Sequence, residues 1–305
     1  MNPLIAVIGP TSTGKSALAL RLAQRFNGEI VSADSRQVYR YMDIGTAKPN
    51  REEMSLVPHH LIDIINPDED FSLAQYQRLA YQKITDIQRH GKLPFLVGGT
   101  GQYLWAVVEG WVIPSVTPDP EFRQRLEGRA AQGETDQLYL ELARVDPAAA
   151  QRIDGRNVRR VIRALEIARN SGASSRTISK AAPPFYTLLI GLTTERKELY
   201  RRIDQRVDNM IEQGLVDEVR VLLEKGYTLD LPSMSGIGYK QISLYLKGEL
   251  TLAEATKQIK TETHRLVRRQ HNWFRLKDDR IKWFDIQDSK AESEIEALVA
   301  GFIIP

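Results

Sequence analysis

Residues 9–16, Gly9-Pro10-Thr11-Ser12-Thr13-Gly14-Lys15-Ser16, carry the types and spacing of a phosphate-gripping loop, G-x-x-x-x-G-K-[ST]. They follow an apolar run, Leu4 to Ile8, and precede a helix-like run, Ala17 to Phe26. A strand ending in a glycine-rich turn aims successive backbone N–H groups at one point, and the N-terminus of the next helix adds partial positive charge. Lys15 brings a full positive charge, and the Ser16 hydroxyl suits a magnesium ion carried by the phosphates. The chain is therefore expected to grip a diphosphate or triphosphate.

Other residues can act beside that loop. Asp34 closes the run Glu29-Ile30-Val31-Ser32-Ala33 and opens Asp34-Ser35-Arg36-Gln37-Val38-Tyr39. A carboxylate there can hold a metal through water or take a proton from a nucleophile; the plainer alternative is a helix N-cap. Asp63 competes for a metal-holding role, since an aspartate at a strand end holds magnesium in many phosphate-loop enzymes. It lies inside Leu61-Ile62-Asp63-Ile64, so a structural role is preferred. Gly98-Gly99-Thr100-Gly101 follows a buried apolar run, and its glycines permit close approach of backbone to ligand. Arg202 and Arg206 share a helix face, either turned to a leaving anion or paired with acidic neighbours such as Glu198. Arg159, Arg160 and Arg163 share another face and can track nucleic-acid phosphates. The five histidines show no metal-ligand spacing, and structural roles are expected for them.

These side chains need a scaffold. Strand signals at Leu4–Ile8, Glu29–Ala33, His60–Ile64 and Pro94–Val97 alternate with helical ones, including apolar residues at helical spacing from Leu73 to Arg89. Such alternation implies a parallel sheet with ligands at the carboxyl ends of its strands. Pro114, Pro118 and Pro120 mark a boundary, Asp119 to Ser179 reads as wholly helical and arginine-rich, and Pro183-Pro184 closes the segment. A strand signal returns at Thr187–Leu192, followed by one long helix from Glu195 to about Lys225 and a last strand at Ile281–Phe284. The expected architecture is an α/β core, a phosphate-loop parallel sheet flanked by helices, formed by residues 1–115 and 186–305. An all-helical domain, residues 116–185, is inserted into it.

Composition narrows the class. Hydrophobic residues make up 42% of the 305 residues and charged ones 27%, as in globular proteins. With no cysteine, disulfides, thiolate zinc sites, iron–sulfur clusters and cysteine nucleophiles are excluded. No apolar run approaches the ~20 residues of a membrane-spanning helix, and the first residues read as a strand rather than a leader; a cytoplasmic enzyme is expected. The net charge of +3 is small, but arginines cluster at 152–169, 196–206 and 265–275, as suits contact with a polyanion.

Taken together the motifs resemble the bacterial tRNA dimethylallyltransferase family. The resemblance rests on the phosphate loop, Ser32-Ala33-Asp34-Ser35-Arg36-Gln37-Val38-Tyr39 and Met42-Asp43-Ile44-Gly45-Thr46-Ala47-Lys48-Pro49. It continues through Leu96 to Gly101, Asn157 to Glu166, Gly236 to Lys240 and Arg268 to Arg275, in order and over nearly the whole chain. The resemblance implies transfer of a dimethylallyl group from its diphosphate to the exocyclic amine of the adenosine 3′ of the tRNA anticodon. It implies Asp34 as the base that accepts the amine proton, Thr100 as its partner, and Lys15 and Arg206 on the departing diphosphate. Gly9 to Ser16 would bind that diphosphate, with Ser16 on Mg2+. Contacts to the tRNA anticodon stem-loop would come from Asp34, Ser35, Arg36, Gln37, Thr100 and Arg123, and from Arg159, Arg160, Val161, Ile162 and Arg163. The acceptor base would be swung out of its loop to react. Gln102 departs from the apolar residue common in the family. No membrane partner is expected, and a monomer is.

Three other readings differ in testable ways. A phosphate-loop kinase would transfer phosphate from ATP. An adenylate prenyltransferase would use free AMP, ADP or ATP and have less need of an RNA clamp. A non-catalytic RNA-binding protein would have no use for an intact Gly14, Lys15, Ser16 and Asp34.

Overall fold

The structure, a computed structural model, describes residues 2–114, 116, 119–171 and 179–303. Pro118 of the expected boundary and residues 172–178 of the expected helical segment lie outside the described residues. The chain divides into two compact units, Met1–Val108 with Pro183–Pro305, and Glu109–Ala182.

The first unit is built on a sheet. Its strands are β1 (Pro3–Ile8), β2 (Gly28–Ser32), β3 (His59–His60) and β4 (Leu93–Gly98). The helices among them are α1 (Lys15–Arg25), α2 (Arg51–Leu56), α3 (Leu73–Arg89) and α4 (Gly101–Val108). The second unit contributes β5 (Trp111–Val112), α5 (Pro120–Ala131), α6 (Thr135–Val145), α7 (Pro147–Arg152), α8 (Val158–Ser171) and β6 (Ser179–Lys180). The chain then adds β7 (Tyr186–Thr193), α9 (Arg196–Glu212), α10 (Leu215–Glu224), α11 (Tyr239–Leu246), α12 (Leu252–Trp273), β8 (Ile281–Asp285) and α13 (Ala291–Ile303) to the first unit.

The main sheet has the order β3-β2-β4-β1-β7-β8, and every ladder in it is parallel. Strand β1 is central and buried on both faces, which is why Leu4 to Ile8 is unbroken apolar sequence. Ile5 and Val7 pack with Leu18 and Leu22 of α1 and with Ile295 and Val299 of α13. The chain passes from β1 to β2 across the place that β4 later fills, so a crevice opens beyond the carboxyl end of β1. The register, Ile8 beside Gly98 and Ser32 beside Val97, brings three strand ends to one edge.

Local chemistry explains the helices that matter here. Ser72 and Gln75 form a reciprocal capping box at the start of α3, whose Tyr76, Ala80, Ile84 and Ile87 face inward at helical spacing. Thr251 and Glu254 do the same for α12, which buries Ala255, Ile259, Thr263, Val267 and Gln270.

Two expectations are corrected. The long helix over 195–225 is two helices, because Gly214 takes φ 100° between α9 and α10, a conformation that a glycine adopts at little cost. The strand expected at His60–Ile64 stops after His60. Leu61 and Asp63 turn into the left-handed region, and Ile64 and Ile65 donate instead to the Val38 carbonyl. Asp63 is therefore no strand-end ligand, and its carboxylate pairs with Lys48 Nζ at 2.5 Å.

The second unit packs Leu126, Leu138, Leu142, Ala150, Val161 and Leu165 into a core of its own. To its helices it adds an antiparallel pair, Trp111 beside Lys180 and Val112 beside Ser179. The unit is therefore not all-helical; it takes in Glu109 to Pro114, which the expected boundary leaves in the core segment, and gives up Pro183 to Phe185, which that boundary assigns to the insertion.

One carboxylate organises the loop after β2. Glu218 of α10 accepts hydrogen bonds from the backbone N–H groups of Asp43, Ile44 and Gly45 at 2.9, 2.7 and 3.1 Å, and from the Tyr239 hydroxyl at 2.6 Å. Charge-assisted bonds of this kind are the stronger ones. Glu218→Ala is expected to cost about 2 kcal/mol and to lower the thermal midpoint by roughly 4–8 °C. An unchanged midpoint would show that the loop holds its shape without that carboxylate.

Candidate active site

Three strand ends and the helices α1, α9 and α12 build the site. β1 runs into Gly9, at φ 139°, where an added Cβ would lie 2.4 Å from the Leu192 carbonyl oxygen of β7. Only glycine lets the chain turn there so close to the neighbouring strand. The loop is closed by Thr13, whose hydroxyl donates to the Pro10 carbonyl at 2.8 Å, and by Lys15, whose Nζ donates to the same oxygen at 2.6 Å. Gly14, left-handed at φ 78°, precedes α1 with no side-chain cap, so the first amides of the helix stay open to an anion. Ser12 is left-handed at φ 68°, and its buried hydroxyl has no hydrogen-bond partner among the described residues. A strained residue with an unspent polar group is typical of a ligand clamp.

The end of β2 supplies Asp34, which is half-buried. One of its carboxylate oxygens, Oδ1, accepts from the Arg36 backbone N–H at 2.8 Å. The turn at the end of β4 crosses directly over it: Thr100 N–H donates to the Ala33 carbonyl at 3.2 Å, and the Thr100 hydroxyl accepts from Ser35 N–H at 3.0 Å. Gly98 makes this crossing possible, since a Cβ there would lie 2.2 Å from the Ala33 carbonyl oxygen. Arg36 donates to the Pro232 carbonyl at 2.8 Å. The Gln37 amide accepts from the Ser32 hydroxyl at 2.8 Å and donates to the Ala47 carbonyl at 3.2 Å.

The electrostatics join these pieces. Burial and the neighbouring Arg206 guanidinium push the Lys15 ammonium down to about 7, against a weaker upward pull from Asp34. Burial also lowers Arg206, and Asp34 again opposes the change. Two cations and one carboxylate therefore share a poorly solvated space at the carboxyl edge of the sheet. Tyr76 and Tyr103, stacked with ring centres 3.7 Å apart, floor the Asp34 side, and burial raises both phenols. Arg206 also lines a cleft of about 670 Å³ together with Ile44, Ala47, Met54 and Met210. Arg202 does not join Arg206; it pairs with Glu198 at 2.7 Å.

Gln270 is a member of the site that the sequence reading missed. Its Oε1 accepts from Thr11 N–H at 2.9 Å and its Nε2 donates to the Gly99 carbonyl at 3.0 Å. The available signal was a glutamine on the buried stripe of α12, where an apolar residue is the rule.

Comparison with known proteins places this architecture. A family model described as IPP transferase matches residues 37–277, and one described as isopentenyl transferase matches residues 2–66. The chain belongs to the IPP transferase family. The tRNA dimethylallyltransferase of Roseiflexus sp. (strain RS-1) is 57% identical over 276 residues, 90% of each chain. That of Dehalococcoides mccartyi (strain ATCC BAA-2266 / KCTC 15142 / 195) is 51% identical over 304 residues, 99% of this chain and 93% of the other. Among solved structures, the full-length tRNA isopentenylpyrophosphate transferase of Bacillus halodurans superposes with a TM-score of 0.74 at 44% identity, covering 99% of this chain and 97% of that one. A eukaryotic dimethylallyltransferase described as acting on tRNA gives a TM-score of 0.85 at 29% identity, covering 99% of this chain and 79% of that one.

Within this family member the arginine-rich helix α8 divides into separate roles. Arg159 and Arg160 are exposed. Val161 and Ile162 correct the expected set of RNA contacts: at 1% and 2% exposure their side chains belong to the core of the second unit. Arg123 and Arg163 are spent largely within the unit. Arg123 grips the fully buried Glu166 carboxylate through two bonds, at 3.0 and 2.9 Å, and Arg163 pairs with the same group. Burial pushes Glu166 up, but bonds from Arg123, the Asp119 N–H and Arg163 outweigh it and hold the group below the usual carboxylate range. Helical spacing put these residues side by side, and only packing shows which way each one points.

Proposed function

We propose that this chain transfers the dimethylallyl group of dimethylallyl diphosphate to the exocyclic amine of the adenosine 3′-adjacent to a tRNA anticodon, giving N6-dimethylallyladenosine. The observation that carries this reading is the meeting of three strand ends at one edge of the sheet: the loop after β1, the Asp34 turn after β2, and the Thr100 turn after β4 that bonds to Ala33 and Ser35. Asp34 also acts on the charge of Lys15 and Arg206.

The residues divide the work as follows. The bond from the allylic carbon to the diphosphate oxygen breaks with its electron pair on the oxygen, and the amine nitrogen bonds to that carbon. Negative charge grows on the departing diphosphate, where Lys15, the open amides of the loop and Arg206 meet it. Donors of this kind act more strongly on the transition state than on the ground state. The nitrogen sheds one proton to the Asp34 carboxylate. Arg36 N–H steadies Oδ1 of that group, and Oδ2 has no hydrogen bond among the described residues. Thr100, locked to Ser35, holds the acceptor side of the pocket beside it. The apolar side chains of Ile44, Met54 and Met210 in the adjoining cleft suit a five-carbon isoprenyl tail.

Mg2+ fits this donor set. Among the described residues no group of three or more His, Asp or Glu is placed to hold a metal ion. The Ser16 hydroxyl together with phosphate oxygens is the kind of sparse ligation magnesium accepts. The ion would neutralise part of the diphosphate charge. No helix among the described residues is long and apolar enough to cross a membrane.

The decisive assay incubates the protein with dimethylallyl diphosphate, magnesium and unmodified tRNA, with AMP and ATP as parallel acceptors. Prenylated adenosine in the digested tRNA supports the reading; transfer to AMP or ATP alone overturns it. The second unit is assigned to grip the anticodon stem through Arg159 and Arg160. Arg159→Ala and Arg160→Ala are each expected to weaken tRNA binding and to reduce the slope of log affinity against log salt by roughly 0.8 per lost phosphate contact. An unchanged slope in both variants would remove them from the interface.

A further inference from the structure

The two hydrogen bonds of Gln270 carry a consequence beyond packing. Thr11 belongs to the loop assigned to the diphosphate, and Gly99 immediately precedes Thr100 on the acceptor side. They stand on different strand ends, and the carboxamide of Gln270, 6% exposed, spans them. Its orientation is forced, because an amide N–H must be met by oxygen and a carbonyl by N–H. Gly99 is fitted to this contact: a Cβ there would lie 2.5 Å from Nε2. We propose that Gln270 is a positioning residue, a strut that sets the distance between the diphosphate loop and the acceptor turn so that donor carbon and acceptor amine meet in register. The inference rests on the transfer reaction proposed above.

A strut has a different signature from a core residue. Each substrate binds to its own side, so separate affinities survive its loss, while the reaction between them suffers. Misplacement by about 1 Å can cost about a hundredfold in rate. Gln270→Met keeps the side-chain length and loses both hydrogen bonds. Gln270→Glu keeps the acceptor for Thr11 N–H when ionised, but sets a carboxylate against the Gly99 carbonyl. Once protonated, it can accept and donate as glutamine does.

The test measures single-turnover rate, the Kd of a non-reactive thio analogue of the donor, the Kd of tRNA, the thermal midpoint and hydrogen exchange at the Thr11 amide. For Gln270→Met the rate should fall between about tenfold and a hundredfold while each Kd changes by less than about threefold. For Gln270→Glu the rate relative to wild type should recover as pH falls from about 8 to about 6, because a buried carboxyl titrates high. Lys15, Asp34 and Arg206 share the pocket in both proteins, so the ratio isolates position 270. Rates within about twofold of wild type in both variants, or Kd values that worsen in step with the rate, overturn the proposal. So does failure of both variants to fold, which would make Gln270 a fold residue. If wild type itself transfers nothing to tRNA, the functional reading fails, and the strut is judged on exchange alone. Loss of Thr11 amide protection in Gln270→Met supports it, and full protection overturns it.

Discussion

Asp34→Asn is expected to cut the rate of transfer about a thousandfold while leaving tRNA affinity within a few-fold of wild type. The substitution is nearly isosteric. Its carbonyl oxygen can still accept from Arg36 N–H, as Oδ1 does at 2.8 Å, so the turn after Ala33 keeps its support. What changes is the other end of the group. An amide NH2 would face the acceptor amine in place of a carboxylate oxygen, donor against donor, with no basic site for the proton. The change also removes the one group that pulls the Lys15 ammonium upward, so the loop loses some of its positive charge. Single-turnover transfer with saturating tRNA measures the rate, and filter binding of tRNA alone measures the affinity. A rate within tenfold of wild type would mean that the proton leaves by another route.

Lys15→Ala is expected to weaken binding of the diphosphate donor and slow the chemical step together, by about a thousandfold in kcat/KM, since the same charge serves ground state and transition state. The depressed Lys15 adds a pH signature. With the group at about 7 in the free protein, raising the pH through neutrality discharges the ammonium, and donor affinity should fall. Lys15→Arg should keep its charge over that range and flatten the dependence. Stability runs the other way. The unfolded chain holds the proton up to the ordinary lysine range, near 10.5, whereas the folded chain gives it up near 7. Between those values the unfolded state binds more protons, so this group makes the ligand-free protein less stable as pH falls from about 10.5 to about 7, with no further change below. Bound diphosphate, by favouring the charged form, should erase that slope. Isothermal titration of the donor at several pH values reads the affinity, and thermal melts with and without it read the stability. Donor affinity that rises with pH would contradict the assignment.

The turn at residues 9–16 could be read directly because its geometry is local. The glycine at position 14, the lysine and serine after it, and the flanking strand and helix are all consecutive, and backbone geometry at such a turn depends on neighbours in the chain. The same holds for the central strands, whose unbroken apolar runs follow from burial on two faces, and for α3, where apolar period and capping residues agree from end to end. Asp34 and Thr100 were legible for a related reason: each follows a strand signal, and parallel strands deliver their carboxyl ends to one edge.

The sequence by itself determined that strands end ahead of Gly9, Asp34 and Gly99, and that a largely helical segment interrupts the α/β core, because propensity, period and turn chemistry act over a few residues. Only the tertiary structure decided partners. It turned Asp63 to Lys48, spent Arg123 and Arg163 on Glu166, sent Val161 and Ile162 into a core, and set Gln270 between Thr11 and Gly99. Those pairings join groups up to 259 positions apart, and a hydrogen bond or ion pair depends on distance in space, to which the local pattern of a chain is blind.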